Sequence, residues 1–458
     1  MKGRKRAKEK EKEVMKMNKN IVHSMRNQKL FLLMLLLSII GATIVLPNIV
    51  MAKTDSTGMG ICVGAAETVI TPNIQYLNGY TGIHDDLYAS CVAIYDWRIN
   101  TTVVLVDLDL HGQELTDITI PIRNRVEANY GINGDYVLIG STHTHAPGVD
   151  VIGVYSGSTN PYIVNVYKPQ LIDKVVEIIG LALNDMRRTV VQVGSICVSG
   201  MTFNRRYYPE VGPTDDELTA VRFIDLKGET IATLVNFASH PVITMTGTLI
   251  SADFCGYLCK ALEDKFGGIG IYFNGAEGNI NPSMFIKYSS PFAPDDPAQY
   301  EAAEEYGENL AEYAIQALQN GKIFNNLPME VAKTTVDLPL ENPSFIYAMT
   351  RGLINRTVIL TDKGYIVRTE VSGVKMGPIE MLTVPGELFS EIALFLKENM
   401  PKYGFLLGLT PEELGYIIPP EQWAPGTGEV GESMSMSVKI APILTEALLQ
   451  VITELEQN

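Results

Sequence analysis

Apolar and polar positions along this chain follow two rhythms. Runs with the short period or the continuous apolarity of strands cover Gly64–Pro72, Leu87–Ile94, Thr101–Leu110, Tyr136–Gly140, Thr189–Val198, Thr219–Asp225, Thr230–Phe237, Ile269–Phe273 and Ile379–Val384. Stretches with apolar residues at helical spacing cover Ile118–Tyr130, Val164–Met186, Ser251–Phe266, Pro297–Asn320, Leu388–Asn399 and Ile440–Leu455. Strand, helix and strand in succession predict an α/β protein, with layered mixed β-sheets flanked by helices. No internal repeat and no linker composition interrupt the pattern, so residues 53–458 read as a single large domain.

The breaks between elements carry their own information. Lys227-Gly228 joins two strands as a hairpin turn. Residues 149–163, rich in Gly, Ser, Pro and Tyr, read as a loop over strand ends, where substrate-facing elements are commonly found. Asn274-Gly275-Ala276-Glu277-Gly278-Asn279-Ile280-Asn281-Pro282 is a turn of small residues and amides that lets backbone come close to a ligand. A Gly-rich segment at 426–431 precedes the last helix.

Composition adds an address. Residues 1–29 are strongly basic, Leu30–Leu46 is largely apolar and uncharged, and Val50-Met51-Ala52 supplies small side chains, which is the order of an export signal. Residues 1–52 are therefore expected to be a signal peptide or, uncleaved, a signal anchor that ties the protein to the outer face of the membrane. The bulk of the chain is expected outside the cytoplasm. Without the amino-terminal segment, Lys plus Arg fall from 36 to 25 and Asp plus Glu from 52 to 49, a net charge of −24. Nucleic acid is excluded as a partner, because phosphate binding needs basic surface. The five cysteines, Cys62, Cys91, Cys197, Cys255 and Cys259, are too few for a disulfide scaffold, and Cys255 and Cys259, four apart on a helix, read as core residues.

The chemistry gathers at strand ends. Ser141-Thr142-His143-Thr144-His145 follows the run Tyr136–Gly140, and residues two apart on an extended chain point the same way, so His143 and His145 emerge together. His111 closes the strand-like run Thr101–Leu110, and His240, in Ala238-Ser239-His240-Pro241, stands where another strand is stopped by proline. A catalytic zinc site takes about three His or carboxylate ligands and keeps a position open for water. His143, His240 and Glu387, each at the end of a strand in a different part of the chain, offer such a set.

Five motifs in order, Thr142-His143-Thr144-His145, Asn236-Phe237-Ala238-Ser239-His240-Pro241, the 274–282 turn, Val384-Pro385-Gly386-Glu387 and Gly415-Tyr416-Ile417, resemble the neutral/alkaline (non-lysosomal) ceramidase family over about residues 60–435. The resemblance implies a zinc amidase that cleaves the N-acyl bond of a ceramide-like substrate. It also implies His143, His240, Glu387 and Tyr416 as zinc ligands, His145 as a catalytic residue beside the metal, and Arg205 as a substrate-binding residue of the pocket. Competing roles exist for two of these: a buried tyrosine with a satisfied hydroxyl at 416, and a first-turn acidic residue at 387.

The chain departs from that family in two places. Where the family places a serine proposed to take part in catalysis, this sequence has Asn281; an amide cannot be a nucleophile but can donate to a developing oxyanion. The β-sandwich domain that usually follows in the family is not expected after the last predicted helix. The expected partner is a small-molecule or lipid-like acyl substrate. The alternatives are zinc hydrolysis of a different amide, ester or cell-envelope component, or a non-catalytic cell-surface binding protein on the same fold.

Overall fold

The computed structural model describes residues 60–152, 160–287, 296–425 and 431–457. The expected export signal, most of the 426–431 segment and the centre of the 149–163 loop lie outside them. Among the described residues no helix is long and apolar enough to cross a membrane.

A nine-stranded sheet forms the first layer. Its strands lie in the order Ile269–Asn274, Thr230–Phe237, Glu217–Asp225, Arg187–Cys197, Ile61–Val69, Tyr88–Asp96, Thr101–Leu108 and Val137–Ser141, with Lys322–Phe324 paired to Arg187–Cys197 off this path. The pairs at the two ends of that path are parallel, and the pairs between them are antiparallel. The sheet curls so far that Ile269–Asn274, at one end, touches Thr101–Leu108 and Val137–Ser141 at the other. That curl brings strand ends from distant parts of the chain together.

Both faces of the sheet are covered, which is why its strands read as near-continuous apolar runs. In Thr101–Leu108, Val104, Val106 and Leu108 face one core with the helices Ile120–Tyr130 and Lys168–Asn184, while Val103 and Leu105 face another. Helices Asp253–Phe266 and Ala298–Gln319 cover the other half of the outer face through Leu258, Leu262, Tyr306 and Leu310. Backbone contact is close here: a Cβ on Gly64 would sit 2.0 Å from the Ala182 carbonyl oxygen, and one on Gly194 would sit 1.9 Å from that of Ala317. Only glycine lets these helices lie against these strands.

The inner face packs on a second sheet, ordered Met329–Leu340, Gly364–Met376, Ile379–Thr383 and Tyr403–Leu407, with Ile359–Thr361 paired to Gly364–Met376. Val374, Met376, Met381, Phe405 and Leu407 meet Val103, Leu105, Val221 and Ile271 in the core between the sheets. The helices Ser390–Lys397 and Ile440–Gln457 cover its far side with Ile392, Leu396, Leu444, Leu448 and Val451. The result is helix, sheet, sheet and helix in four layers, an α/β arrangement as expected.

Most predicted elements are present with ends shifted by a few residues. The helix expected from Ser251 starts at Asp253, with Ser251 Oγ accepting from the Asp253 N–H at 3.0 Å. The helices expected from Ile118 and Val164 begin with a wider turn, over Leu115–Thr119 and Ile163–Tyr167. Met329–Leu340 and Gly364–Met376, paired in register from Met329↔Met376 to Leu340↔Tyr365, were not anticipated from the apolar pattern. Their many exposed or half-exposed polar positions, among them Lys333, Thr334, Thr335, Arg368 and Glu370, dilute the apolar signal of an edge pair.

Candidate metal centre

Four of the six histidines meet in one place, each delivered by a different device. His143 follows the strand Val137–Ser141 with φ +74, and its N–H donates to the Leu110 carbonyl at 3.0 Å. A left-handed backbone at a non-glycine residue is strained and is held only by its surroundings, a feature that gathers at functional sites. His240 follows Thr230–Phe237, its N–H donating to the Ile280 carbonyl at 3.0 Å. Glu387 opens a two-residue strand paired in parallel with Tyr416-Ile417, Glu387 opposite Tyr416. Its N–H donates to the Gly415 carbonyl at 3.1 Å, and Gly278, where a Cβ would lie 2.5 Å from the Glu387 carbonyl oxygen, packs the 274–282 turn against it.

Three side chains then converge. His143 Nε2 lies 3.4 Å and His240 Nε2 lies 3.2 Å from Glu387 Oε2, and all three residues are at most 1 % exposed. The other nitrogen of each ring is already committed: His143 Nδ1 to the His111 carbonyl, and His240 Nδ1 to the Glu277 carbonyl at 2.9 Å. A carbonyl only accepts, so each Nδ1 carries the proton and each Nε2 presents a lone pair. None of the three inward atoms has a hydrogen-bond partner of acceptable geometry. Burial pushes His240 down to about 4, so its ring is neutral at neutral pH.

Three acceptors facing one another in a dry interior repel unless a cation lies between them. Ligand atoms bound to a tetrahedral zinc at about 2.0–2.1 Å stand about 3.3–3.4 Å apart, a spacing that the two measured separations bracket. His143, His240 and Glu387 therefore fit a metal ion.

Around this centre the other expected residues take distinct places. Tyr416 is 6 % exposed, its hydroxyl in hydrogen-bonding contact with Arg205 and Glu387, and burial raises its pKa. The Arg205 guanidinium lies over the Tyr416 ring, 5.1 Å from its centroid, with the Arg205 N–H on the Asn279 carbonyl at 2.9 Å. His145 stands edge-on to His143, ring centroids 4.9 Å apart, with its Nε2 buried and without a hydrogen-bond partner. Asn281 pairs with Phe203 in a short ladder and follows the residue whose carbonyl holds His240; its Oδ1 is buried and unpartnered. His143, His145, His240, Glu387, Tyr416 and Arg205 are thus gathered, and Asn281 sits beside them in the turn.

The sequence reading assigned no role to His111. Its ring lies 4.3 Å from that of His143 and 4.5 Å from that of His145, and the ligating nitrogens of these three also come within 4.8 Å of one another. Burial, and then His143, holds His111 well below the usual histidine range; burial, and then His111, does the same for His145. Its position at a strand end was the signal available. Glu277 and Glu413 were also passed over. Glu277 is 0 % exposed with neither carboxylate oxygen partnered, and burial followed by Glu387 pushes both Glu277 and Glu413 well above the carboxylate range. Both are acids near the centre, Glu277 buried and Glu413 half-buried.

A cavity of about 740 Å³ opens onto His111 and His145. Tyr76, Leu77, Tyr80, Val149 and Ile163 give it an apolar wall, with Asn78 and Asn160 as polar points. Site and cavity together have the form of a small-molecule pocket with a few polar groups at one end.

No family model matches the sequence. Among solved structures, the crystal structure of neutral ceramidase from Pseudomonas aeruginosa superposes with a TM-score of 0.68 at 17 % identity, over 87 % of this chain and 74 % of that one. A ceramidase complexed with C2 superposes with a TM-score of 0.67 at 16 % identity, over 87 % and 75 % of the two chains. The layered sheets that carry the histidine and glutamate cluster are thus the fold of the neutral ceramidases.

Proposed function

We propose that the protein is an exported zinc-dependent hydrolase of an N-acyl amide with a lipid-like acyl chain. The observation that carries this reading is the convergence of His143 Nε2, His240 Nε2 and Glu387 Oε2, three buried acceptors with no donor between them. When bound there, zinc polarises an acyl carbonyl and lowers the pKa of water to about 7. Tyr416, in contact with Glu387, completes the set that holds it.

The remaining work falls to side chains of this chain. The cavity's apolar wall takes the acyl chain and excludes water from the scissile bond. His145 and His111 face the cavity as neutral imidazoles, each able to donate from one nitrogen and accept at the other. His145 holds the carbonyl oxygen or passes a proton to the leaving nitrogen, and His111 orients the group beside it. Arg205, stacked on Tyr416, supplies positive charge where an oxyanion develops. Asn281 offers an amide N–H in place of a serine hydroxyl, so no covalent acyl intermediate is expected from that position.

The same substitution favours a second reading, hydrolysis of a different amide, ester or cell-envelope component by the same residues. Both are tested by elemental analysis of the purified protein together with release of acyl chains from a panel of short-chain ceramides, simpler N-acyl amides and esters, before and after chelation. One zinc per chain with chelator-sensitive cleavage supports the hydrolase, and the panel identifies the bond. Zinc without turnover on any acyl substrate would instead favour a binding protein. Export is checked by sequencing the amino terminus of the mature protein, expected near Lys53.

A further inference from the structure

A second cavity, of about 300 Å³, shares no lining residue with the first and has a different character. It opens between the helix Asp253–Phe266 and the ends of the strands Ile61–Val69, Tyr88–Asp96 and Thr101–Leu108. Along most of this sheet face the residues are apolar, including Val63, Val92, Ile94, Val103 and Leu105. At its end the register sets Glu67, Ser90 and Asp107 side by side across three strands. Six carboxylates line the space: Glu67, Asp85, Asp86, Asp107, Asp109 and Glu263. Lys260, the one cationic lining residue, is paired with Asp264 and its side chain is 66 % exposed.

Several of these carboxylates are anchored by local donors. Asp109 Oδ2 accepts from the Tyr88 N–H at 2.8 Å and Glu263 Oε1 from the Gly270 N–H at 3.0 Å. Asp85 accepts from Ser251 Oγ and the Ala252 N–H, both at 2.7 Å, and Asp86 from Thr71 Oγ1 at 2.7 Å. Asp107 is different. It is 5 % exposed, and its Oδ1 is buried with no hydrogen-bond partner. A buried acceptor without a donor is an exception that calls for an ion or a ligand. Burial, and then Asp109, pushes its pKa well above the carboxylate range, and burial brings Glu67 and Asp109 to about 7. Apart from Lys260, the walls offer these carboxylates no cation of their own, so burial favours protons on them, and an entering cation would displace those protons.

The arrangement is wrong for a bare divalent ion. Among the described residues, groups of three or more His, Cys, Asp or Glu ligand atoms within 4.8 Å of one another occur only around the four clustered histidines. The carboxylates of this cavity are spread instead around a space at the lower end of small-molecule sites. Tyr88 and Tyr257 add aromatic faces to the wall, and such faces attract organic cations and shelter methylene groups.

We propose that this cavity binds a small aliphatic amine bearing two or more ammonium groups. Asp107 receives one ammonium group at the buried end, and Glu67 and Glu263 receive another toward the mouth. The site does not depend on the metal centre or on hydrolysis. Titration calorimetry of the full-length protein with putrescine and spermidine at low salt is expected to show one saturable site per chain, unchanged by prior chelation and weakened by added salt. Loss of one charge-assisted contact in Asp107→Asn should weaken binding by about 10-fold or more. Glu67→Gln, at the exposed edge, should weaken it less and serves as the readout if Asp107→Asn does not fold. Absence of saturable binding to the wild type overturns the proposal, as does wild-type affinity in the folded variants. Saturation of the same residues by calcium or magnesium, with neither amine binding, overturns the ligand class.

Discussion

His143 donates from Nδ1 to the main-chain carbonyl of His111, so one histidine sets the tautomer of the other through backbone alone. The His111 side chain is left to face the cavity with His145. Substitution at 111 keeps the carbonyl and removes only the imidazole, which separates metal binding from any role toward substrate.

Replacement of His111 by Gln or Ala should therefore leave the metal content unchanged while turnover falls by about 10²-fold, within the range for a group that assists at the reacting bond. Metal analysis and steady-state kinetics on the same preparation check this. Loss of metal in step with activity would make His111 a ligand instead.

His143→Ala and His240→Ala each remove one of three inward lone pairs. Tight zinc and hydrolysis should both be lost, with metal affinity down by at least about 100-fold, more than outer-shell partners usually cost. Plasma emission after dialysis against a weak chelator reads the outcome. A metal-loaded, active variant would sink the ligand assignment.

Glu387→Gln should invert an order of stability. In the metal-free protein the amide can donate to the Nε2 of His143 or His240, where the wild type sets three acceptors together. The metal-free variant should gain about 1–3 kcal/mol over metal-free wild type. With zinc added the wild type should become the more stable, because a carboxylate is the better ligand. Thermal unfolding with and without zinc tests both halves.

Asn281→Ala should lower turnover by about 10²-fold with zinc retained, if the Asn281 amide donates to the oxyanion. Unchanged kinetics would remove that role and leave Asn281 as a structural residue of the turn.

Stability should also depend on pH in a direction opposite to that of proteins held by salt-bridged carboxylates. Glu114 is 2 % exposed with neither carboxylate oxygen partnered, and burial, only partly offset by Lys168, brings its pKa to about 8. A carboxyl whose folded pKa lies above its unfolded value contributes stability that is complete below about 4.3 and lost as the pH rises through the folded value. The midpoint of unfolding should therefore fall between pH 5 and 9, and Glu114→Gln should flatten that slope. Equal slopes in the two proteins would show that Glu114 does not hold its proton.

Much of the fold was legible in the chain, for a local reason. Short, nearly continuous apolar runs such as Thr230–Phe237 and helical spacing such as Ala298–Gln319 follow from backbone geometry within a few residues, and the observed elements match them closely. The nearness of His143 and His145 was expected from an extended chain, but His143 lies past the end of its strand with φ +74, so the two rings meet through a left-handed turn that no period predicts. Order and residue type in the five motifs pointed to the rest of the site, including Tyr416, which no period marks, while Arg205 came from the separate and looser Asn204-Arg205 match.

Other features depended on how distant strands are brought together. The Met329–Leu340 and Gly364–Met376 pair is half-exposed, so its apolar signal is weak until pairing supplies it. His111 looked like any polar residue after a strand until the parallel pairing of Thr101–Leu108 with Val137–Ser141 put its ring 4.3 Å from that of His143. The meeting of His240 and Glu387 with that pair, and the crowding of six carboxylates around Asp107, arise where a curled sheet and its helices close on themselves. Periodicity reports which face of an element is buried. Which distant residues share that burial is set by register and curvature, which act between segments far apart in the chain.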